Sequence, residues 1–346
     1  MKLEKLRSWE PPADWQQIHV IDAHTGGEPL RIYLDDFPET RGSTILQRRA
    51  DCLGRLDALR TATLWEPRGH ADMYGCLVVP PEREDSDFGV IFSHNEGYSS
   101  MCGHGIIAVA TVLLDCGVIA AQEGSNELRI DAPAGLIRAT AEYRDGRVQG
   151  VRFLNVPSFA ALLDASVDVP GIGTVPFDLG YGGAFYAYVQ AAAIGLDTGP
   201  DNIAQMIDWG RRIKHAVMQQ FAIEHPFDAE LSFLYGTIFT DAPREAGSDT
   251  RNVCIFADGE VDRSPTGTGV SGRLAIAAAR GELAIGQQRV YESVLGSQFH
   301  GSVAEELEYG PHRAIVPLVS GTAHICGRQQ FLLDPADPLR DGFILR

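Results

Sequence analysis

Residues 102–105 place a thiol, an imidazole and two glycines within four positions, Cys102-Gly103-His104-Gly105. A cysteine where a helix begins can act as a base or nucleophile. The unpaired N–H groups and the macrodipole make that end positive and favour the thiolate. The helix itself is written in Ile106, Ile107, Ala108, Val109, Ala110, Val112, Leu113 and Leu114, interrupted only by Thr111 and closed by Gly117. Apolar on every side, it is predicted to be buried, and it is too short to span a bilayer.

A second stretch repeats the plan. Residues 262–269, Asp262-Arg263-Ser264-Pro265-Thr266-Gly267-Thr268-Gly269, lead into the apolar run 270–279, which Gly281 ends. Gly-Thr-Gly at 267–269 answers Gly-His-Gly at 103–105, and Thr266 holds the place that Cys102 holds in the first copy. Two buried helices opened in the same way predict two similar halves facing each other. A small anionic substrate would lie between their positive ends.

The elements that must position these residues fit 346 amino acids, enough for two domains with real cores. Strands are predicted at 18–24, 30–34, 73–79, 88–92, 127–131, 135–142, 148–154, 185–190, 231–240, 252–257, 289–303 and 313–319. Further helices are predicted at 44–59 and at 201–223, the latter capped by Asp201. Many short strands around one apolar helix in each half describe an α+β protein rather than repeated βαβ units.

The formal net charge of −17 excludes nucleic acid as a partner, since phosphates would be repelled. No segment has the apolar length of a membrane span, and residues 1–15 lack the apolar core of a secretory signal. The six cysteines show no CxxC pair and no zinc or disulfide spacing. Reduced thiols in a cytoplasmic protein are expected, with Cys52, Cys76, Cys116, Cys254 and Cys326 read as small buried apolar residues.

Residues 101–105 and 262–269, with Ile21-Asp22-Ala23-His24-Thr25-Gly26-Gly27-Glu28-Pro29 and residues 66–75, resemble the proline racemase family, within the diaminopimelate epimerase-like fold. The resemblance runs from about His19 to about Asp334. It implies two pseudo-symmetric domains, each a curved, mostly antiparallel sheet around a central apolar helix, with the active site in the cleft between them. The first domain is placed at residues 1–156 with 325–346, carrying the Cys102 helix, and the second at 157–324, carrying the Thr266 helix. No metal, pyridoxal phosphate or nucleotide is implied, and the partner is a small imino acid. The sequence leaves a homodimer open.

Racemases and 4-hydroxyproline epimerases of this family carry a cysteine in the second motif, giving a thiol on each face of the α-carbon. Thr266 replaces it here, and a threonine hydroxyl is too weakly acidic for that work. Cysteine followed by threonine resembles the family's trans-3-hydroxy-L-proline dehydratases. The resemblance implies that Cys102 removes the α-proton, assisted by His104, and that the C3 hydroxyl departs to give Δ1-pyrroline-2-carboxylate. The backbone N–H groups of Gly103, His104, Gly267 and Thr268 would hold the substrate carboxylate, Asp262 would accept from the ring ammonium, and Thr266 would close the opposite face.

Gly267-x-Gly269-x-x-Gly272 formally fits a dinucleotide fingerprint, which would make the chain a nicotinamide-dependent oxidoreductase, but residues 258–265 separate it from the preceding strand. The same motifs would also serve an epimerase or racemase using Cys102 alone, or a non-catalytic imino-acid binder. His24 and Glu28, beside Gly26-Gly27, stand evenly between turn chemistry and function. His94, Ser99 and Ser100 are read as shaping their loop.

Overall fold

In the computed structural model, which describes residues 2–345, the chain is α+β and rich in sheet. Eighteen strands are joined in one hydrogen-bonded network, in which antiparallel pairs predominate. Strand Gln16–Thr25 lies between Glu28–Tyr33 and Ala323–Leu333, so the end of the sequence pairs with its beginning. From Glu28–Tyr33 the pairing continues through Tyr74–Val79, Phe88–His94, Gly124–Ala132, Gly135–Arg144 and Arg147–Leu154 to His312–Gly321. His312–Gly321 also belongs to a closed ring. It meets Ser158–Val169, then Gly173–Tyr181, Phe185–Gln190, Leu234–Asp241, Thr250–Phe256, Gln288–Glu292 and Gln298–Tyr309, which pairs back to it.

Five helices complete the fold: α1 (Ile45–Asp51), α2 (Asp57–Leu64), α3 (Gly103–Asp115), α4 (Ile203–Gln220) and α5 (Gly267–Ala279). Helix α3 packs on strands 16–25, 147–154 and 323–333, and α5 on strands 158–169, 173–181, 298–309 and 312–321. Every residue of α3 from Gly103 to Leu114 is buried, as an all-round apolar helix requires. Gly117 takes φ +70° just past its end, and the Gly117 and Ile119 N–H groups donate to the Leu114 and Leu113 carbonyls. No helix among the described residues is long and apolar enough to cross a membrane.

Three predicted elements differ. The helix predicted at 44–59 is two helices joined by a π-turn, Cys52–Leu56, which buries both Cys52 and Leu56, and it runs on to Leu64. Its continuation is disguised by polar residues that are nonetheless buried. Arg60 pairs with Asp57 and donates to the carbonyl oxygens of His94 and Asn95. Helix α4 starts at Ile203 after a short 3₁₀ turn, with no side-chain cap from Asp201 or Asn202. The strand predicted at 289–303 is two strands, because residues 293–297 form a turn around Ser293.

Candidate functional site

The two buried helices meet head to head. A β-carbon on Gly103 would stand 2.6 Å from the Gly267 α-carbon, and one on Gly267 would stand 2.7 Å from that of Gly103. Around this junction lies one nearly closed cavity of about 20 Å³. Cys102, Gly103, His104, Asp262, Thr266, Gly267 and Thr268 all line it, so every residue singled out from the two motifs is brought together there.

Cys102 is the N-cap of α3, where its Sγ accepts from the Gly105 N–H at 3.2 Å and its carbonyl from Ile106. The N–H groups of Gly103 and His104 therefore remain for a ligand. His104 Nδ1 lies 3.1 Å from the same sulfur, and Nε2 lies 3.2 Å from the Pro29 carbonyl. A carbonyl only accepts, so this contact assigns the hydrogen to Nε2 and leaves Nδ1 as an acceptor facing the sulfur.

Burial pushes the Cys102 thiol well above its usual range, against the Gly105 N–H, which lowers it; Asp262 and Glu28 raise it further. Burial likewise holds His104 down at about 3, with the Pro29 contact opposing. The thiolate expected at the helix start is thus opposed by burial, which favours the neutral forms of both groups.

Across the cavity, Thr266 takes φ +66°, a strained conformation for a β-branched residue, and its buried side chain lies beside Asp262 and Cys254, acting to lower the pKa of both. Ser264 receives the Thr266 N–H at 3.1 Å, and the Val270 N–H reaches back to the Thr266 carbonyl. Thr268 Oγ1 is 2.8 Å from Tyr186 Oη. Asp262 accepts from the Ser264 N–H at 2.7 Å, yet burial raises its carboxyl to about 6. Beside it Glu28 accepts from the Arg263 N–H at 2.7 Å while its Oε1 stays unpartnered, and burial raises that carboxyl too.

The remaining walls are Met101, the residue before Cys102, and four aromatic residues. Tyr74, Tyr186, Tyr235 and Phe256 come from four separate strands, and only the sheet pairing brings them together. Tyr74 Oη donates to Ser99 Oγ at 2.7 Å and lies 3.2 Å from Tyr235 Oη. His94 sits behind them, 3.0 Å from Glu260. His24 accepts from the Gly27 N–H at 3.3 Å, the turn chemistry of its motif.

Cys52, Cys76 and Cys254 are buried free thiols as expected, but Cys116 and Cys326 are exposed and do not fill a core. Among the described residues no group of three His, Cys, Asp or Glu side chains is placed to hold a metal ion. The glycines of the dinucleotide-like pattern have packing reasons. Gly267 abuts Gly103, Gly269 abuts Ile238, and Gly272 lies against the Tyr188 ring.

The chain is similar to known proteins along nearly its whole length. The chain is 47% identical over 345 residues to a trans-3-hydroxy-L-proline dehydratase of Colwellia psychrerythraea, covering 99% of this chain and 97% of the relative. It is 44% identical over 331 residues to a 3-hydroxyproline 2-epimerase of Burkholderia multivorans, covering 96% and 99%. A crystal structure of a hydroxyproline epimerase from Agrobacterium vitis with bound trans-4-hydroxy-L-proline superposes with a TM-score of 0.90 at 31% identity, covering 96% of each chain. The proline racemase family model matches residues 20–344, and the chain belongs to that family.

Proposed function

We propose that this protein is a trans-3-hydroxy-L-proline dehydratase, built as two pseudo-symmetric halves, residues 1–156 with 325–346 and residues 157–324, with substrate in the cleft between α3 and α5. The observation that carries the reading is the unequal pair at the helix starts: a thiol with a proton acceptor on one face, a threonine hydroxyl beside Asp262 on the other.

The substrate carboxylate sits between the two helix starts on the free N–H groups of Gly103, His104, Gly267 and Thr268. Its ring ammonium faces Asp262. A positive charge entering a dry cleft favours the charged forms of both Asp262 and Cys102. The Cys102 proton passes to His104 Nδ1, and the thiolate takes the α-proton. Charge then moves onto the carboxylate, where the same N–H groups hold it more strongly in the transition state.

In a trans-3-hydroxy acid the hydroxyl shares a ring face with the α-hydrogen. The loss is therefore syn, and the leaving oxygen is protonated from the Cys102 side, by the new thiol or by His104. The C–H and C–O bonds break, a C2–C3 double bond forms and one water leaves. The enamine tautomerises to Δ1-pyrroline-2-carboxylate.

Epimerisation at the α-carbon, the activity in the Burkholderia relative's name, needs a proton delivered from the Thr266 face. No thiol lines that wall: Cys254 does not reach the cavity, and burial raises its thiol well above the usual range. The test is to supply purified protein with trans-3-hydroxy-L-proline, trans-4-hydroxy-L-proline and L-proline, without metal or nicotinamide. Water loss from the first alone is expected. Turnover that requires nicotinamide, or that is confined to the other two, contradicts the reading.

A further inference from the structure

A second cavity, of about 560 Å³, lies away from the junction of α3 and α5, between α5 and the strands 173–190, 240–250 and 289. Its size is that of an ordinary small-molecule pocket. Arg273, Arg280 and Arg289 line it. Arg280 is already committed, paired with Asp164 and with Asp178 at 2.7 Å. Arg273 is not. Its Nη1 donates to three neutral oxygens, Thr250 Oγ1 at 2.8 Å, the Arg251 carbonyl at 3.3 Å and Asn252 Oδ1 at 2.9 Å. Among the described residues nothing accepts from its Nε or Nη2, and no carboxylate pairs with it. One nitrogen thus anchors the guanidinium while the rest of its fork is left for another acceptor.

A half-buried guanidinium held by neutral groups, with one edge open to a cavity, is arranged for a bidentate oxyanion. Arg289 stands on the same wall, its Nη2 donating to the Glu282 carbonyl at 2.9 Å. Of the nearby acids, Asp241 accepts from Thr198 and from the Ala242 N–H, which leaves the Glu282 side chain as the uncommitted carboxylate.

The anchor of Arg273 also leads to the cleft. Asn252 Oδ1 accepts from Arg273, and Asn252 Nδ2 donates to the Pro265 carbonyl at 3.1 Å, one residue before Thr266. Tyr188, another wall of this cavity, donates to the Gly269 carbonyl at 2.9 Å, in the first turn of α5. We infer that this cavity is a regulatory site for a small oxyanion, a carboxylate or phosphate gripped by Arg273 and Arg289, whose occupancy is felt at Thr266 through Asn252 and Pro265.

Isothermal titration of malonate and of inorganic phosphate into Cys102→Ser protein tests this, with and without saturating trans-3-hydroxy-L-proline. Titrating that imino acid alone into the same protein reports the cleft separately. The expected result is one site per chain for at least one anion, retained under saturating imino acid with an affinity shifted by the same factor by which the anion shifts imino-acid affinity, the tighter anion naming the class. Binding should weaken about tenfold in Arg289→Gln, as for loss of one charged hydrogen bond, and vanish in Arg273→Gln. Arg289 lies at the cavity wall outside the Asn252 relay, so its variant decides the matter should Arg273→Gln fail to fold. In wild type the bound anion should shift the KM for trans-3-hydroxy-L-proline, and in Arg289→Gln the shift should move to higher anion concentration. No saturable binding, binding displaced by the imino acid, or binding and KM unmoved by these variants would overturn the inference.

Discussion

Gly103 and Gly267 touch backbone to backbone at the point where α3 and α5 meet, with the Phe153 ring beneath both. Neither position has room for a β-carbon, because the opposing atoms are main chain and cannot turn aside. The contact sets how far apart the two helix starts stand, and so how a carboxylate is shared between them.

Gly103→Ala should therefore push the helices apart. Overpacking of this kind costs about 1–3 kcal/mol. A displacement of about 1 Å at the reacting groups is worth on the order of 100-fold in rate. Thermal denaturation and steady-state kinetics of the variant check both. A variant with wild-type kcat would mean that the spacing of the helix starts does not matter.

Cys102→Ser should abolish turnover while leaving the fold intact. Serine is a good N-cap, so the bond from the Gly105 N–H survives, but its hydroxyl cannot be ionised by a neutral imidazole. Product formation should fall below detection with a melting temperature close to that of wild type. Residual activity within tenfold of wild type would place the base elsewhere.

Asp262 supplies a pH dependence whose sign can be worked out. Its folded carboxyl titrates at about 6, above the 3.8 of a free side chain. The folded state thus binds the proton more tightly. The group does not penalise stability below about pH 4, and the penalty grows as pH rises through about 6. Asp262→Asn removes it while Oδ1 can still accept from Ser264. The variant should be more stable than wild type at pH 7.5, by on the order of 1–3 kcal/mol, and no more stable at pH 3. It should also lose affinity for the ring ammonium. In wild type, kcat/KM should fall about tenfold per unit below pH 6 as the carboxylate is protonated. Melting curves at the two pH values and a pH–rate profile check this; a variant less stable than wild type at pH 7.5 contradicts it.

Thr266→Cys should add what the second face lacks. The residue sits at a left-handed φ, which an unbranched side chain tolerates better than threonine, although the change gives up the hydroxyl's contact with Asp262. A thiol there stands at the start of α5 and can deliver a proton from the opposite side. Detectable racemisation of L-proline or epimerisation of trans-4-hydroxy-L-proline should appear in chiral chromatography, with part of the dehydration kept. If wild type already racemises proline as fast as it dehydrates its substrate, Thr266 is not the deciding position.

The two motifs were legible because their signals are local: a polar residue flanked by glycines, an all-apolar run, a closing glycine. The strand Gly173–Tyr181 was hidden by its glycines, and Ser158–Val169, which contains none, by its Ala160-Ala161-Leu162-Leu163 run, which breaks the apolar–polar alternation. Gly171 and Gly173 sit at positive φ in the turn between them, while Gly180 lies inside a strand against Tyr188 and Ile276. The pairing of Ala323–Leu333 with Gln16–Thr25 is a contact across the whole chain, beyond any local pattern. The tyrosine walls and the upward shift of the Cys102 thiol are tertiary properties. Burial sets both, and burial at a given residue is decided by strands far away in sequence.

The proposed mechanism confines proton transfer to one face of the α-carbon. The direct measurement is to incubate wild-type protein with trans-3-hydroxy-L-proline in heavy water and follow all products by NMR and chiral chromatography. One-face chemistry predicts Δ1-pyrroline-2-carboxylate as the product and no cis-3-hydroxy-D-proline, with any recovered substrate retaining its L configuration. Accumulation of cis-3-hydroxy-D-proline, deuterated at the α-carbon, would show that a proton reaches the Thr266 face and would contradict that mechanism.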